Sequence, residues 1–296
     1  MKASVSSYSF NQYLKTGKLT QIECVKKAKE MGFDGIEFTP LMPCENPTLE
    51  DQLKYAAEIK AEAEKCGIEI VSYTIRANLY YATEEECEAE VERLKRQVDV
   101  AAALGVKVMR HDVCYSLVHN GISLSFDKML PTIAKNARAV AEYARTLGIK
   151  TCTENHGFIA QDSDRVERLY NAVNSDNYGI LIDVGNFACA DEDSVLAVSR
   201  VAPYAFHVHV KDFKKYPYGS PEYSRDGGIV TRACNKIVAA SVGYGDIPVL
   251  QCLAILKNAG YDGFVSIEYE GAENCIEGLA KSKANLDKYI AILENK

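Results

Sequence analysis

The sequence has no long apolar segment and no run of basic residues. No stretch approaches the roughly 18 consecutive apolar residues of a transmembrane helix, so we expect no membrane span. Residues 1–10 carry one lysine and no long apolar run, which does not fit a secretory signal, and we expect a cytoplasmic protein. Basic residues occur at most in pairs, such as Lys26-Lys27, and the net charge is -7. We therefore expect no nucleic-acid partner.

Two further absences concern chemistry. The ten cysteines include no CxxC pair and are scattered along the chain, which favours reduced, buried thiols over a disulfide framework. A Rossmann fold would place GxGxxG after its first strand, but residues 9–14 read Ser-Phe-Asn-Gln-Tyr-Leu. No P-loop lysine motif occurs either, so the sequence contains no recognisable nucleotide-phosphate-binding loop.

A repeated junction between helix and strand is the main pattern that the sequence does contain. Residues 31–37 (MGFDGIE) resemble residues 259–265 (AGYDGFV), and shorter versions occur around Gly67, Gly105 and Gly148. In each, a helical pattern ends at a glycine and an apolar run begins at once. Glycine suits the left-handed residue just past a helix, and the apolar run is then the next strand. This alternation predicts a parallel sheet.

Eight such units predict an α/β fold, specifically a single-domain (β/α)8 TIM barrel over residues 1–296. The strands are predicted over 3–8, 35–38, 68–75, 106–110, 149–154, 178–183, 204–210 and 263–269. A polar segment rich in Gly, Tyr and Ser follows strand seven at about 213–247. It is longer than a connection needs, so we expect a functional loop over the site.

Predicted strand seven alternates apolar and ionisable residues with the period of a β-strand. His207, His209 and Lys211 therefore share one face. Two imidazoles and an ammonium group that point into a protein interior cost free energy unless a partner compensates for their lost hydration. A divalent metal would be such a partner.

Three other predicted strands supply the carboxylates for a metal site. Glu154 ends strand five, Asp183 ends strand six and Glu268 lies near the end of strand eight. The carboxyl ends of TIM-barrel strands converge on the face that carries the active site. We therefore predict that Glu154, Asp183, His209 and Glu268 hold one divalent metal. Three carboxylates and one imidazole favour Mn²⁺, with Mg²⁺ or Co²⁺ as alternatives, over a thiolate-rich structural zinc.

Each of these four residues also has a structural interpretation. Glu154 and Glu268 could form ion pairs at the strand ends, Asp183 could cap a helix or stabilise the turn before Gly185, and His209 could be a core histidine. The four interpretations are linked, because the barrel would bring all four side chains to one place.

Further polar residues are candidates for binding substrate: Arg110, His156, Asn186, His207 and Lys211. His156 shares a face with Glu154 but lies further out, where it would touch substrate or cap the strand. Lys211 and Arg110 suit an anionic or hydroxyl group, although Arg110 could instead pair with a barrel acid. His207 lies one layer deeper than His209, so packing or support of the metal ligands is equally plausible.

Six motifs together resemble the xylose isomerase-like TIM barrels, the sugar phosphate isomerase/epimerase superfamily. They are GFDGIEF at 32–38, TENHG at 153–157, LIDVGN at 181–186, HVHVKDF at 207–213, GYGDIPV at 243–249 and GFVSIEYEG at 263–271. The resemblance covers most of the chain. Members of the superfamily include ketose 3-epimerases, inosose dehydratases and hydroxypyruvate isomerases.

The resemblance implies a metal site and a reaction. In the superfamily a Glu, an Asp, a His and a Glu on strands five to eight hold a divalent metal, and the motifs place these ligands at the same four residues. In ketose 3-epimerases the two glutamates, here Glu154 and Glu268, are also the catalytic acid–base pair. The metal polarises the substrate oxygens, one carboxylate removes a proton and the other returns one from the opposite face. This implies isomerisation or epimerisation of a small sugar, polyol or keto-sugar.

Two features depart from the 3-epimerases. Asn186 stands three residues after Asp183, where they typically carry a histidine, and HVHVKD is more similar to the inosose dehydratases. A lyase that uses the same proton abstraction but expels a leaving group, as in dehydration or keto-glycoside cleavage, is therefore the alternative activity. A non-catalytic barrel subunit is a third hypothesis. Five histidines are too few for an endonuclease IV-type trinuclear zinc site, and barrels of this group often pair, which admits a homo-oligomer.

Overall fold

The computed structural model describes residues 1–224 and 226–295. Arg225, within the predicted loop, and Lys296, at the end of the predicted domain, lie outside the described residues. The strands in chain order are β1 (Lys2–Ser6), β2 (Gly35–Phe38), β3 (Glu69–Ile75), β4 (Val108–His111), β5 (Val118–His119), β6 (Ile122–Ser123), β7 (Lys150–Glu154), β8 (Tyr178–Asp183), β9 (Ala205–Val210), β10 (Asp212–Tyr216), β11 (Ile229–Val230), β12 (Lys236–Ala240) and β13 (Phe264–Ile267).

Within the described residues, eight strands close into a barrel in the order β1-β13-β9-β8-β7-β4-β3-β2. All neighbours in this barrel are parallel. The predicted TIM barrel is confirmed, and the second and sixth predicted strands have the observed bounds. The other predicted strands begin or end one or two residues away from the observed bounds, and β1 and β4 extend one residue beyond the prediction, to Lys2 and to His111.

Helices surround the barrel: α1 (Asn11–Leu14), α2 (Gln21–Glu30), α3 (Leu49–Cys66), α4 (Glu84–Leu104), α5 (Phe126–Thr146), α6 (Ser163–Val173), α7 (Ser194–Val201), α8 (Val249–Asn258) and α9 (Cys275–Glu294). Short 3-10 segments cover Ser7–Phe10, Asn186–Ala190, Ala202–Tyr204 and Pro221–Ser224. Gly67 and Gly105 end α3 and α4 with φ of 63° and 81°, as the repeated junction predicts. Across the described ranges, we find no helix with the length and apolar character of a membrane span.

The core lies between the barrel and the helices. On α5, Met129, Ile133, Ala137 and Val140 are fully buried at three- and four-residue spacing. Removal of this apolar stripe from water stabilises the packing of α5 on the barrel. Because the barrel strands are parallel, their carboxyl ends all lie at one end of the barrel, which we call the mouth.

The segment after β9, predicted as a long loop, contains the paired strands β10, β11 and β12. β10 and β12 pair from Asp212↔Ala240 to Tyr216↔Lys236, and β11 pairs with β12. These ladders satisfy backbone groups that a long polar loop would leave to water. The buried Asp212 carboxylate ties the end of the segment back to the barrel, because it accepts hydrogen bonds from the backbone N–H groups of Gly243, Gly245 and Ile247 at 2.8, 2.8 and 3.1 Å.

Candidate metal centre

Four side chains from adjacent barrel strands converge at the mouth. Glu154 ends β7, Asp183 ends β8, His209 is the penultimate residue of β9 and Glu268 follows β13. One ligand atom from each of the four lies within 4.8 Å of the other three. Glu154, Asp183 and His209 are buried, and the Glu268 side chain is 12% exposed. The structure therefore brings together the four residues that the sequence analysis assigns to a metal.

Three atoms of this cluster are buried without a hydrogen-bond partner among the described residues: Asp183 Oδ2 and both ring nitrogens of His209, of which Nε2 lies 2.7 Å from Glu37 Oε1. The other oxygen of Asp183 accepts hydrogen bonds from the backbone N–H groups of Gly185 and Asn186, at 2.8 and 3.2 Å. His209 Nδ1 lies 3.8 Å from Glu154 Oε1 and 3.6 Å from Glu268 Oε2, beyond hydrogen-bond distance. Buried polar atoms nearly always form hydrogen bonds, so the unpartnered Asp183 Oδ2 and His209 Nδ1 fit a site for a bound cation.

The local sequence around Glu154 fixes the position of Asp183. The next residue, Asn155, accepts a hydrogen bond from the Asp183 backbone N–H at 2.8 Å and donates one to its carbonyl oxygen at 2.9 Å. Gln161 donates to the carbonyl oxygens of Asn155 and Asn186, at 2.9 and 2.7 Å. These amide contacts hold the ends of β7 and β8 in register beside the site.

Glu154 is held by a cation and an amide. Arg110 Nη2 lies 2.6 Å from Glu154 Oε2 and 2.7 Å from Asp112 Oδ1. Asn186 Nδ2 donates to Glu154 Oε1 at 2.8 Å. Burial would raise the pKa of Glu154, but Arg110 and His209 outweigh it and lower that pKa below the ordinary range. Glu154 is therefore a carboxylate at neutral pH.

Glu268 is held by Lys211, whose Nζ lies 2.6 Å from Glu268 Oε2. The same ammonium group lies 3.5 Å from Glu270 and 3.8 Å from Asp183 Oδ2. Burial acts to raise the pKa of Glu268, yet Lys211 and His209 hold it well below its usual value. Burial raises the pKa of Asp183 to about 6, since Lys211 opposes this only in part and Glu154 adds to it. The neighbouring carboxylates of Glu154 and Glu268 thus repel the Asp183 carboxylate, and a bound cation would offset this repulsion.

Glu37 belongs to the same constellation, although the sequence analysis gives it no role. It is fully buried on β2 and lies 2.7 Å from His209 Nε2 through Oε1 and 2.7 Å from His207 Nε2 through Oε2. Ser266 donates a hydrogen bond to Glu37 Oε2 at 3.0 Å. Burial raises the pKa of Glu37, but the two imidazoles outweigh it and lower that pKa. The available signal was a glutamate inside an otherwise apolar strand.

The remaining candidate residues divide into two groups. Arg110, Lys211 and His156 line a cavity of about 480 Å³ above the cluster, which is within the usual size of small-ligand sites. The His156 side chain is 41% exposed and its Nδ1 lies 2.9 Å from Asp112 Oδ1. His207 and Asn186 are buried and contact Glu37 and Glu154 instead.

The closed barrel and the cluster at its mouth define a TIM-barrel protein with a candidate metal centre. The chain belongs to the xylose isomerase-like TIM barrel family, whose model matches residues 25–293. The resemblance drawn from the six sequence motifs is thereby confirmed.

Two curated proteins are similar to this chain. The chain is 24% identical to the uncharacterized protein MJ1311 of Methanocaldococcus jannaschii, over 100% of this chain and 92% of that protein. It is 22% identical to the inosose dehydratase of Mesomycoplasma hyopneumoniae, over 67% of this chain and 64% of that protein.

Solved structures share the fold at low identity. The IolI protein, solved with a zinc atom, has a TM-score of 0.74 at 16% identity, with 99% of both chains covered. D-psicose 3-epimerase from Clostridium cellulolyticum H10, solved with D-tagatose, has a TM-score of 0.73 at 16% identity and the same coverage. The probable 3-DHS dehydratase AsbF from Bacillus anthracis has a TM-score of 0.73 at 16% identity, covering 97% of this chain and 99% of that one.

Proposed function

We propose that this protein is a divalent-metal-dependent enzyme that isomerises or epimerises a small sugar, polyol or keto-sugar. The observation that carries the proposal is the pair of buried, unpartnered atoms, Asp183 Oδ2 and His209 Nδ1, beside the Glu154 and Glu268 carboxylates. These four residues would hold the metal. Their hard, oxygen-rich donor set favours Mn²⁺, with Mg²⁺ or Co²⁺ as alternatives. When bound, the metal would polarise the substrate carbonyl and make the adjacent C–H bond more acidic.

Glu154 and Glu268 are the proposed acid–base pair. Both are ionised at neutral pH because Arg110 and Lys211 hold their pKa values low, so either can accept a proton at a carboxylate oxygen. A carboxylate with a low pKa is a weak base, which suits a substrate whose C–H bond is already activated. The glutamate that removes a proton becomes a carboxylic acid and can return that proton to the neighbouring carbon, which isomerises the substrate. Epimerisation requires the other glutamate, on a different strand, to take up a proton from solvent before it protonates the opposite face.

Three further side chains would contact the substrate. The Lys211 ammonium group and the Arg110 guanidinium line the cavity and can donate hydrogen bonds to hydroxyl or carbonyl oxygens. His156 lies further out at the mouth, where its ring can contact the part of the substrate that does not react. Asn186 and His207 would act indirectly, through Glu154 and Glu37.

A lyase is the second candidate. Two observations favour it: Asn186 in place of the histidine typical of 3-epimerases, and the similarity to an inosose dehydratase over 67% of the chain. The first proton abstraction would be the same. The intermediate would then expel a group from the next carbon instead of being reprotonated.

Turnover in D₂O tests both candidates. The purified protein, supplied with Mn²⁺, is incubated with a panel of keto-sugars, inososes and keto-glycosides, and products are followed by NMR and mass spectrometry. Isomerisation or epimerisation introduces solvent deuterium without loss of a group, whereas elimination releases water or an aglycone. Glu154→Gln and Glu268→Gln should each lower the rate at least about 100-fold.

Glu64→Gln, which alters an exposed carboxylate on α3, is the matched control and should leave turnover unchanged. Deuterium exchange or turnover that survives in both Glu154→Gln and Glu268→Gln would remove the proposed acid–base pair. A protein that binds no divalent metal and turns over no member of the panel would instead support a non-catalytic barrel.

A further inference from the structure

Two cations at the cavity mouth have no partner in the described protein. Lys15 follows α1, on the β1 side of the barrel, and Arg76 directly follows β3. Both side chains are exposed and both line the 480 Å³ cavity. Within residues 1–224 and 226–295, neither side chain forms an ion pair or a hydrogen bond to another residue.

The other cationic groups of the cavity are already paired. Arg110 contacts Glu154 and Asp112, and Lys211 contacts Glu268 and Glu270. His156 contacts Asp112 as well. The internal ion pairs therefore account for these groups and leave Lys15 and Arg76 as the lining cations that contact no carboxylate among the described residues.

Lys15 and Arg76 lie on the side of the mouth opposite the metal ligands. The ligand strands β7, β8, β9 and β13 are consecutive around the barrel, and β1, β2 and β3 belong to the opposite half. The cavity-lining residues from the β1 to β3 segments include no carboxylate among the described residues. The lining carboxylates, Asp112, Glu154, Glu268 and Glu270, all come from the rest of the barrel.

We infer that the substrate carries an anionic group, a carboxylate or a phosphate, at the end distant from the reacting carbon, and that Arg76 and Lys15 bind it. The inference rests on the proposed function, which places the reacting end at Glu154 and Glu268. The planar guanidinium of Arg76 can donate two parallel hydrogen bonds to an oxyanion, and Lys15 adds a point charge. The substrate class is thereby narrowed to keto-sugar acids or keto-sugar phosphates.

Three ketoses that differ only at C6 test this inference: D-fructose, D-fructuronate and D-fructose 6-phosphate. Their affinities for the Mn²⁺-supplied protein are measured by calorimetry at low and at physiological ionic strength. At least one anionic ketose should bind about tenfold more tightly than D-fructose, since a charge-assisted hydrogen bond contributes about that much. The carboxylate and phosphate probes identify which oxyanion is preferred, and added salt should reduce the advantage at this exposed position.

Variants separate a local site from general electrostatics. Arg76→Gln should abolish most of the anionic advantage and Lys15→Gln should reduce it. Arg96→Gln and Lys54→Gln, which remove the same charge from exposed positions on α4 and α3 outside the cavity, should not. D-fructose affinity should be unchanged in Arg96→Gln and Lys54→Gln, and in Arg76→Gln and Lys15→Gln it should change much less than the affinity of the preferred anionic ketose.

Three results would overturn the inference: anionic probes that bind no more tightly than D-fructose, an advantage that persists in Arg76→Gln because the oxyanion binds at the metal, or equal losses in Arg76→Gln and Arg96→Gln. Failure of the proposed function is a separate result, because it would appear in a Mn²⁺ titration of the wild type without ketose, as a protein that binds no Mn²⁺.

Discussion

His209 Nε2 lies 2.7 Å from Glu37 Oε1, while His209 Nδ1 faces the carboxylates of Glu154 and Glu268. The contact crosses the barrel interior, since β13 and β1 separate β9 from β2 in the sheet. Burial acts to lower the pKa of His209, but Glu37, Glu154 and Glu268 outweigh it and raise that pKa well above the ordinary value. A bound cation would displace the proton from Nδ1, while Glu37 would accept the proton on Nε2 and orient the ring. We therefore predict that Glu37 sets the tautomer of His209 when a metal is bound.

Replacement of Glu37 by Gln should weaken metal binding although no ligand is removed. The amide can donate to His209 Nε2, which would favour the proton on Nδ1, the atom that faces the metal site. We expect Mn²⁺ affinity, measured by calorimetry, to fall about 10- to 100-fold, the usual effect of losing such a partner. Glu64→Gln serves as control. Unchanged affinity in Glu37→Gln would show that Glu37 does not orient His209.

Metal should stabilise the protein, and Asp183 should carry much of that effect. The raised pKa of Asp183 means that its carboxylate form is disfavoured in the metal-free fold. We therefore expect metal-free Asp183→Asn to unfold at the same temperature as the metal-free wild type or higher. Mn²⁺ at 100 times its Kd should stabilise the wild type by about 2.7 kcal/mol, and EDTA should reverse this.

Thermal melts with Mn²⁺ and with EDTA provide the comparison for both proteins. Asp183→Asn should lose most of the Mn²⁺-dependent shift in Tm. If Asp183→Asn retained the full shift, Asp183 would not be a ligand. If it melted well below the metal-free wild type, the carboxylate would have a structural role instead.

Arg110 should be necessary for stability as well as for the position of Glu154. Its guanidinium lies between two buried carboxylates, Glu154 and Asp112, at 2.6 and 2.7 Å. Arg110→Gln would leave both without a cation, and removal of one partner of a buried pair costs about 3–5 kcal/mol. We expect a loss of that size in the free energy of unfolding by urea, measured without metal, and a smaller loss for Arg110→Lys. A loss below about 0.5 kcal/mol in Arg110→Gln would contradict this account.

Asp212 should hold the segment that follows β12. Its carboxylate accepts backbone hydrogen bonds from Gly243, Gly245 and Ile247, which Asp212→Ala would leave unpaired. We expect a loss of about 2–4 kcal/mol in the free energy of unfolding, with Glu64→Ala near zero. Hydrogen exchange of the Gly243, Gly245 and Ile247 amides should accelerate in Asp212→Ala, and unchanged protection there would refute the role.

Local pattern was sufficient to predict the barrel and the convergence of the four cluster residues. Glycines such as Gly67 and Gly105 end helices through a backbone conformation that other residues adopt only with strain, so the junctions can be read from the sequence. Asp183 and Glu154 end apolar strands, and the carboxyl ends of barrel strands share one face. The alternation in β9 likewise placed His207 and His209 inside.

Contacts that depend on distant strands could not be predicted. Glu37 is 172 residues from His209, and no local period shows that a β2 side chain reaches across the barrel to a β9 imidazole. The same holds for Asp212, whose partners lie more than 30 residues further along the chain. The polar composition of residues 213–247 predicts a loop and not the strands β10 to β12. In the structure, pairing within one small sheet provides hydrogen bonds for the backbone groups of these strands.

The central claim is that Glu154, Asp183, His209 and Glu268 bind one divalent cation. A Mn²⁺ titration followed by electron paramagnetic resonance tests this claim most directly. The wild type should bind one Mn²⁺ per chain at a saturable site, and Asp183→Asn and His209→Gln should each weaken that binding about 100-fold or more, with Glu64→Gln unchanged. No saturable binding in the wild type, or equal binding in the wild type and both ligand variants, would contradict the account.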